Sequence, residues 1–109
     1  MPSEFFKALS DDTRLRLLFL IAHNQRLCVC DLEAATLESQ PKVSRHLAVL
    51  RKAGLVEASK QGLWVYYSLA KSIEPWQSQV IHNALKHSLE FMQVSQNRLE
   101  EYKQHENHC

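Results

Sequence analysis

Residues 39–50 read Ser39-Gln40-Pro41-Lys42-Val43-Ser44-Arg45-His46-Leu47-Ala48-Val49-Leu50, and the way this run folds decides the rest. Proline is welcome in a helix only in the first turn, where its missing N–H has no partner to lose. Pro41 therefore marks a helix start. Val43, Leu47 and Leu50 recur at i, i+4 and i+7, which makes a buried stripe. Lys42, Arg45 and His46 fall on the opposite side. Gly54 supplies the left-handed residue that commonly follows a last helical turn, so a helix is predicted over Pro41 to Ala53.

Moving towards the N-terminus, the polar break Glu38-Ser39-Gln40 separates this helix from a shorter one over Leu32 to Leu37, with Asp31 as its expected cap. Before it, Leu27 to Cys30 alternates apolar residues with cysteines. Leu15, Leu18, Phe19 and Ala22 recur at helical spacing behind a cap at Ser10 or Asp11, and that helix ends at Asn24-Gln25-Arg26. Phe5 to Leu9 forms one or two further turns. Moving towards the C-terminus, Leu55 to Ser59 and Leu63 to Leu69 are rich in strand-forming residues and are joined by Lys60-Gln61-Gly62, a hairpin signal. From Pro75 the pattern is helical again, with Trp76, Val80, Ala84, Phe91 and Leu99 on one side. One long helix is expected over residues 74–104.

The bulk numbers agree. A chain of 109 residues suits one domain over 1–109 and is short for two cores. Two glycines and three prolines leave little room for a many-turned β-protein. The fold class expected is mainly α with a β-hairpin, an α+β winged helix-turn-helix. Its parts are residues 27–54 (cysteine segment and helix-turn-helix), 55–69 (wing) and 74–104 (C-terminal helix). No apolar run reaches the ~18 residues of a membrane span, and the N-terminus lacks a signal peptide's basic and apolar regions. No membrane partner and a cytoplasmic location are expected.

Net charge is only +1, but its distribution is uneven. Between Gln40 and Gly62 the charged residues are Lys42, Arg45, Arg51, Lys52 and Lys60 against Glu57 alone, a stripe suited to phosphates. In a winged helix-turn-helix the second helix enters the major groove of double-stranded DNA, N-terminal residues first. Here those residues are Gln40, Lys42, Ser44, Arg45 and His46. Glutamine pairs with adenine and arginine with the guanine O6/N7 edge. Lys60 and Gln61 at the hairpin tip would reach phosphate or the minor groove.

Cys28, Cys30 and Cys109 do not make a disulfide framework. A bridge across a single intervening residue is strained, so thiolate chemistry is the more natural reading of the close pair. On a regular helix, residues i and i+2 sit about 200° apart. The two thiols converge only if the segment is extended or opens a helix.

At this point L-C-V-C-D-L (27–32) and S-Q-P-K-V-S-R-H-L-A-V-L (39–50) resemble the arsenic-responsive repressors of the ArsR/SmtB family. F-K-A-L-S-D-D-T-R-L (6–15) and K-Q-G-L-W-V-Y-Y-S-L (60–69) fit the same pattern, so the resemblance covers roughly residues 5–81. It implies a homodimer paired through the first and last helices, holding operator DNA until As(III) or Sb(III) binds Cys28 and Cys30. The resemblance also implies a third cysteine three residues after the second, where this chain has Glu33. Trivalent arsenic prefers three soft thiolates, and a carboxylate is a poor substitute. Three alternatives follow: a non-protein third ligand, Cys109 as third thiolate, or a different soft ion. The Asp-x-His zinc ligands of related sensors have no counterpart at Ala70-Lys71-Ser72. Three rivals stand beside this reading. One is a thiol redox switch on the same fold. Another is a small thiol enzyme, disfavoured because the chain has neither Cys-x-x-Cys nor a glycine-rich loop. The third is a constitutive DNA-binding protein with silent cysteines.

Overall fold

A computed structural model describes residues 2–105. Nine elements follow one another: α1 (Pro2–Leu9), α2 (Asp12–Asn24), β1 (Arg26–Cys28), α3 (Val29–Thr36), α4 (Gln40–Lys52), β2 (Val56–Gln61), β3 (Trp64–Leu69), α5 (Pro75–Lys86) and α6 (Leu89–His105). The α+β winged helix-turn-helix expected from the sequence is the observed fold.

The central element is α2, because Leu17, Leu18, Phe19, Leu20 and Ile21 are all buried. A helix apolar on every side must be surrounded, and α1, α3, α4, α5 and α6 all pack on it. Asp11, not Ser10, caps it: its carboxylate accepts the Arg14 N–H at 3.0 Å. On α4 the stripe Val43, Leu47 and Leu50 is buried as the spacing requires. Three residues, Leu37 to Ser39, separate α3 from α4, and the turn passes through a left-handed Leu37 (φ 58°) whose N–H bonds Glu33 O at 2.8 Å.

The hairpin pairs Val56 with Leu69 through to Gln61 with Trp64, closing on a two-residue turn in which Gly62 is left-handed (φ 63°). Any side chain at that φ is strained, so glycine suits the position. The wing sheet has a third strand. β1 pairs antiparallel with β3, giving the order β1-β3-β2, with Arg26 opposite Ser68, Leu27 opposite Tyr67 and Cys28 opposite Tyr66.

The C-terminal region differs from expectation. In place of one helix over 74–104 there are two, broken at His87-Ser88. Neither glycine nor proline sits at the break. The chain turns because α6 has its own core contacts to make: Met92 and Leu99 are buried, and the Phe91 ring meets Phe19 edge-on at 6.2 Å. The Arg16 guanidinium lies over the Phe91 ring, 4.4 Å from its centroid. Asn24 and Gln96 exchange amide hydrogen bonds of 2.8 and 3.2 Å. So α6 folds back along α3 and α2.

Candidate DNA-reading face and thiol site

The reading helix begins with a capped, solvent-facing turn. Ser39 Oγ accepts the Lys42 N–H at 3.4 Å, and Pro41 occupies the first turn. Gln40 Nε2 donates to Ser44 Oγ at 2.9 Å, and Lys42 Nζ pairs with Glu38 at 3.1 Å. Exposed pairs of this kind contribute little, so Gln40, Lys42 and Ser44 can exchange them for DNA at small cost. Arg45 is exposed one residue further on. Lys60 and Gln61 are exposed at the end of β2 beside the turn.

Ala48 and Val49 are also exposed on α4, and the sequence reading passed over them. Their signal was present, since in Leu47-Ala48-Val49-Leu50 only the outer two belong to the buried stripe. Apolar groups on a reading helix suit thymine methyls.

His46 is placed differently from its neighbours. Its side chain is only 15% exposed and turns towards the start of α2. Nδ1 lies 3.5 Å from an Arg14 guanidinium nitrogen, and Nε2 lies 4.0 Å from Asp11 Oδ1. The neutral Nε2–H tautomer suits both, accepting from arginine and facing the carboxylate with its proton. Position 46 is i+3 from Val43 and i−4 from Leu50, so it borders the buried stripe. Arg14 in turn donates to Ala8 O at 2.8 Å and Lys7 O at 3.3 Å, tying the end of α1 to this junction. Desolvation holds the His46 pKa below its ordinary value, against the pull of Asp11. The Arg14 N–H holds the Asp11 carboxyl low.

The thiol segment is both extended and a helix opening. Cys28 ends β1 and caps α3, with an extended backbone (φ −89°, ψ 170°), while Cys30 is the second residue of α3. The Cys28 N–H donates to Asp31 Oδ2 at 3.0 Å, and the Cys28 side chain faces the Asp31 amide in return, a reciprocal capping box. Cys28 and Asp31 are buried, and Cys30 is half-buried. The first amides of a helix and its dipole favour negative charge, so a thiolate-bound ion is well placed here. Asp31, expected as the cap, is instead the third helical residue, because α3 starts three residues earlier than predicted.

Glu33 is half-buried one turn beyond Cys30. Among the described residues no group of three or more His, Cys, Asp or Glu is arranged to hold a metal ion. Cys109 lies outside the described residues.

A basic reading helix beside a three-stranded wing defines a winged-helix DNA-binding protein. Comparison with known proteins takes this further. Residues 11–58 match the family described as bacterial regulatory protein, arsR family. The chain is 45% identical over 94 residues, 86% of its length and 80% of the relative's, to the arsenical resistance operon repressor of Escherichia coli K12. In structure it resembles HlyU of Vibrio cholerae N16961 (TM-score 0.71, 28% identity, 79% of this chain and 89% of that one). It also resembles the antimony-specific transcriptional repressor AntR (TM-score 0.64, 32% identity, 82% of this chain and 78% of that one). The chain belongs to the ArsR family. That family consists of DNA-binding transcriptional regulators, not enzymes, which removes the thiol-enzyme reading.

Proposed function

We propose that this protein is a homodimeric cytoplasmic repressor that leaves its operator when As(III) or Sb(III) binds the thiolates of Cys28 and Cys30. The observation that carries the reading is the position of the two cysteines, which hold an ion in the reduced protein. They flank the first residue of α3, the helix that precedes the reading helix, and so join a soft-ion site to the DNA-binding element. The likeness to an arsenical resistance repressor of Escherichia coli and to the antimony-specific AntR supports the same inducer class. No helix among the described residues is long and apolar enough to cross a membrane.

Pairing through α1 and α5 is supported by an aromatic group on that face. Phe5, Phe6 and Trp76 stack within 4.9 to 6.4 Å of one another, yet Phe6 remains 52% exposed and Trp76 38% exposed. Exposed aromatics of this size suit a subunit interface. Because α6 is engaged with α2 and α3, α5 rather than the whole 74–104 region is the dimerising element. Two subunits then present two reading helices to half-sites about one helical turn apart.

The DNA contacts are assigned to Gln40, Lys42, Ser44, Arg45, Lys60 and Gln61. His46 acts from behind, holding α4 against Asp11 and Arg14. Binding of inducer and DNA must oppose each other reciprocally. A 100-fold loss of operator affinity needs about 2.7 kcal/mol of differential binding.

The test is fluorescence anisotropy at fixed salt, on a duplex this protein selects from a random pool, with reduced protein titrated with arsenite. Wild type should be released, while Cys28→Ser and Cys30→Ser should stay bound. Cys109→Ser separates a tail thiolate from a non-protein third ligand. Release of wild type by peroxide but not by arsenite would replace the metalloid reading with the redox one.

A further inference from the structure

The row of residues across the wing sheet at Cys28 leads to a positioning role for Tyr66. Cys28, Tyr66 and Ser59 are successive cross-strand partners on β1, β3 and β2. Directly opposed residues share a face of the sheet, with Cβ atoms about 4.5–5.5 Å apart. Arg26 is two residues before Cys28 and lies on the same face. Its guanidinium sits 4.4 Å from the centroid of the Tyr66 ring. Leu27, between them, points the other way into the core.

The wing strand therefore carries, in register with the buried Cys28, an aromatic ring under a cation from the strand of Cys28 itself. Two residues before Tyr66 on β3 is Trp64, at the wing tip beside Gly62-Leu63. A ligand that repositions Cys28 disturbs its pairing with Tyr66, on the strand that runs to the wing tip.

We propose that Tyr66, steadied by Arg26, is the positioning residue through which the wing responds to a metalloid on Cys28 and Cys30. This rests on the metalloid reading above. On this view the wing is displaced by inducer as a strand of the sensor sheet, and the reading helix is not the only element that moves. Tyr66 itself touches neither DNA nor the ion; its work is to transmit.

The two tryptophans make the test selective, since Trp64 lies in the wing and Trp76 on α5. Protein labelled with 5-fluorotryptophan is titrated with arsenite and followed by fluorine NMR. Thiolate–arsenic absorption in the near ultraviolet measures binding separately, and operator anisotropy measures release. In wild type the Trp64 resonance should move and the Trp76 resonance should stay. In Tyr66→Thr, which keeps a strand-forming residue, absorption should be retained, but the Trp64 shift should shrink. Operator release should fall from about 100-fold to below about tenfold, within the usual span of allosteric couplings. Tyr66→Phe keeps the ring and should restore both.

Arg26→Gln removes only an exposed stacking cation and should reduce release about two- to fivefold, the worth of a cation–π contact. It also decides the matter if Tyr66→Thr does not fold. Full release from arsenite-saturated Tyr66→Thr, or from Arg26→Gln where the threonine variant is unfolded, would overturn the proposal. So would wild-type release with Trp64 unmoved. Absence of the absorption band in wild type would remove the metalloid reading and this proposal with it.

Discussion

The helices α3 and α4 begin in the same way in opposite surroundings. Each has a cap with extended backbone, Cys28 (φ −89°, ψ 170°) and Ser39 (φ −71°, ψ 155°). Each is followed by a short-range side-chain bond that satisfies an end amide. At α4 Ser39, Gln40 and Pro41 are exposed, and Gln40, Lys42 and Ser44 hold one another or Glu38 through bonds that solvent already competes for. At α3 the cap and its reciprocal partner, Asp31, are buried at 2% and 1% exposure. An open helix end can trade partners one at a time. A buried end cannot move without disturbing what packs on it, so a ligand bound there is felt elsewhere in the structure. The same capping device sits at an exposed helix end in one place and a buried one in the other, which suits the recognition and signalling roles proposed for them.

The comparison is broken most forcefully at Asp31. Replacing it with alanine leaves the buried Cys28 N–H without its carboxylate acceptor. A lost hydrogen bond to a charged group costs up to ~3 kcal/mol, so Asp31→Ala should lower the unfolding free energy by about that much in a urea titration. Asp31→Asn keeps an acceptor oxygen and should lose less than half as much. Equal losses would mean that the charge, not the hydrogen bond, matters at this helix end.

Arg45→Ala tests the open end. Stability should change little, because the side chain is exposed, while operator affinity should fall by about 2 kcal/mol if the arginine reads a guanine. The loss should be concentrated at one base-pair position. Lys42→Ala should weaken all sequences alike and reduce the salt slope by about 1. Uniform loss across sequences for Arg45→Ala would make it a phosphate contact instead.

How legible each region was follows from how local its determinants are. The α4 helix could be read almost to the residue, because Pro41, the Val43-Leu47-Leu50 spacing and Gly54 all lie within it. The entrance of α3 was read three residues late. Valine and cysteine are weak helix formers, and Asp31 looks like a cap when its true role is to answer one. The pairing of β1 with β3 spans some forty residues and leaves no local trace, so the third strand and the Cys28–Tyr66 contact had to come from the structure. The break at His87-Ser88 was hidden for the same reason. It is set by Phe91, Met92 and Gln96 finding partners on α2 and α3, not by any breaker in the sequence. His46 was misplaced because it sits at the border of a stripe, where helical phase alone does not choose a side.

A smaller effect sharpens the contrast between the two caps. Ser39→Ala removes only a 3.4 Å bond in an exposed turn, and such caps contribute about 1 kcal/mol. The loss should therefore be about a third of that for Asp31→Ala in the same titration. Arsenite-induced release should be unchanged, since nothing at this end touches the thiols. A reduced response in Ser39→Ala would show that the two helix ends are mechanically joined across Leu37 to Ser39, and the division of labour between them would fail.

The smallest effect is a pH dependence at the junction behind the reading helix. His46 is faced by Asp11 and Arg14 from α2 and its cap, and by Lys42 and Arg45 from its own helix. Its folded pKa lies below the unfolded value of 6.5, chiefly through desolvation. The unfolded chain therefore takes up a proton more readily, and stability must fall as protons are added. The contribution is fully present above pH 6.5 and is lost as pH drops through the folded pKa. Asp11, also lowered, adds a loss of the same sign at lower pH, below its unfolded value of 3.8. Unfolding free energies measured from pH 7.5 downwards should decline below about pH 6.5. His46→Gln, which cannot take the proton, should flatten the first part of that decline and leave the Asp11 part in place. If the histidine variant declines as steeply as wild type between those limits, the junction is not what titrates, and another group holds α4 in place.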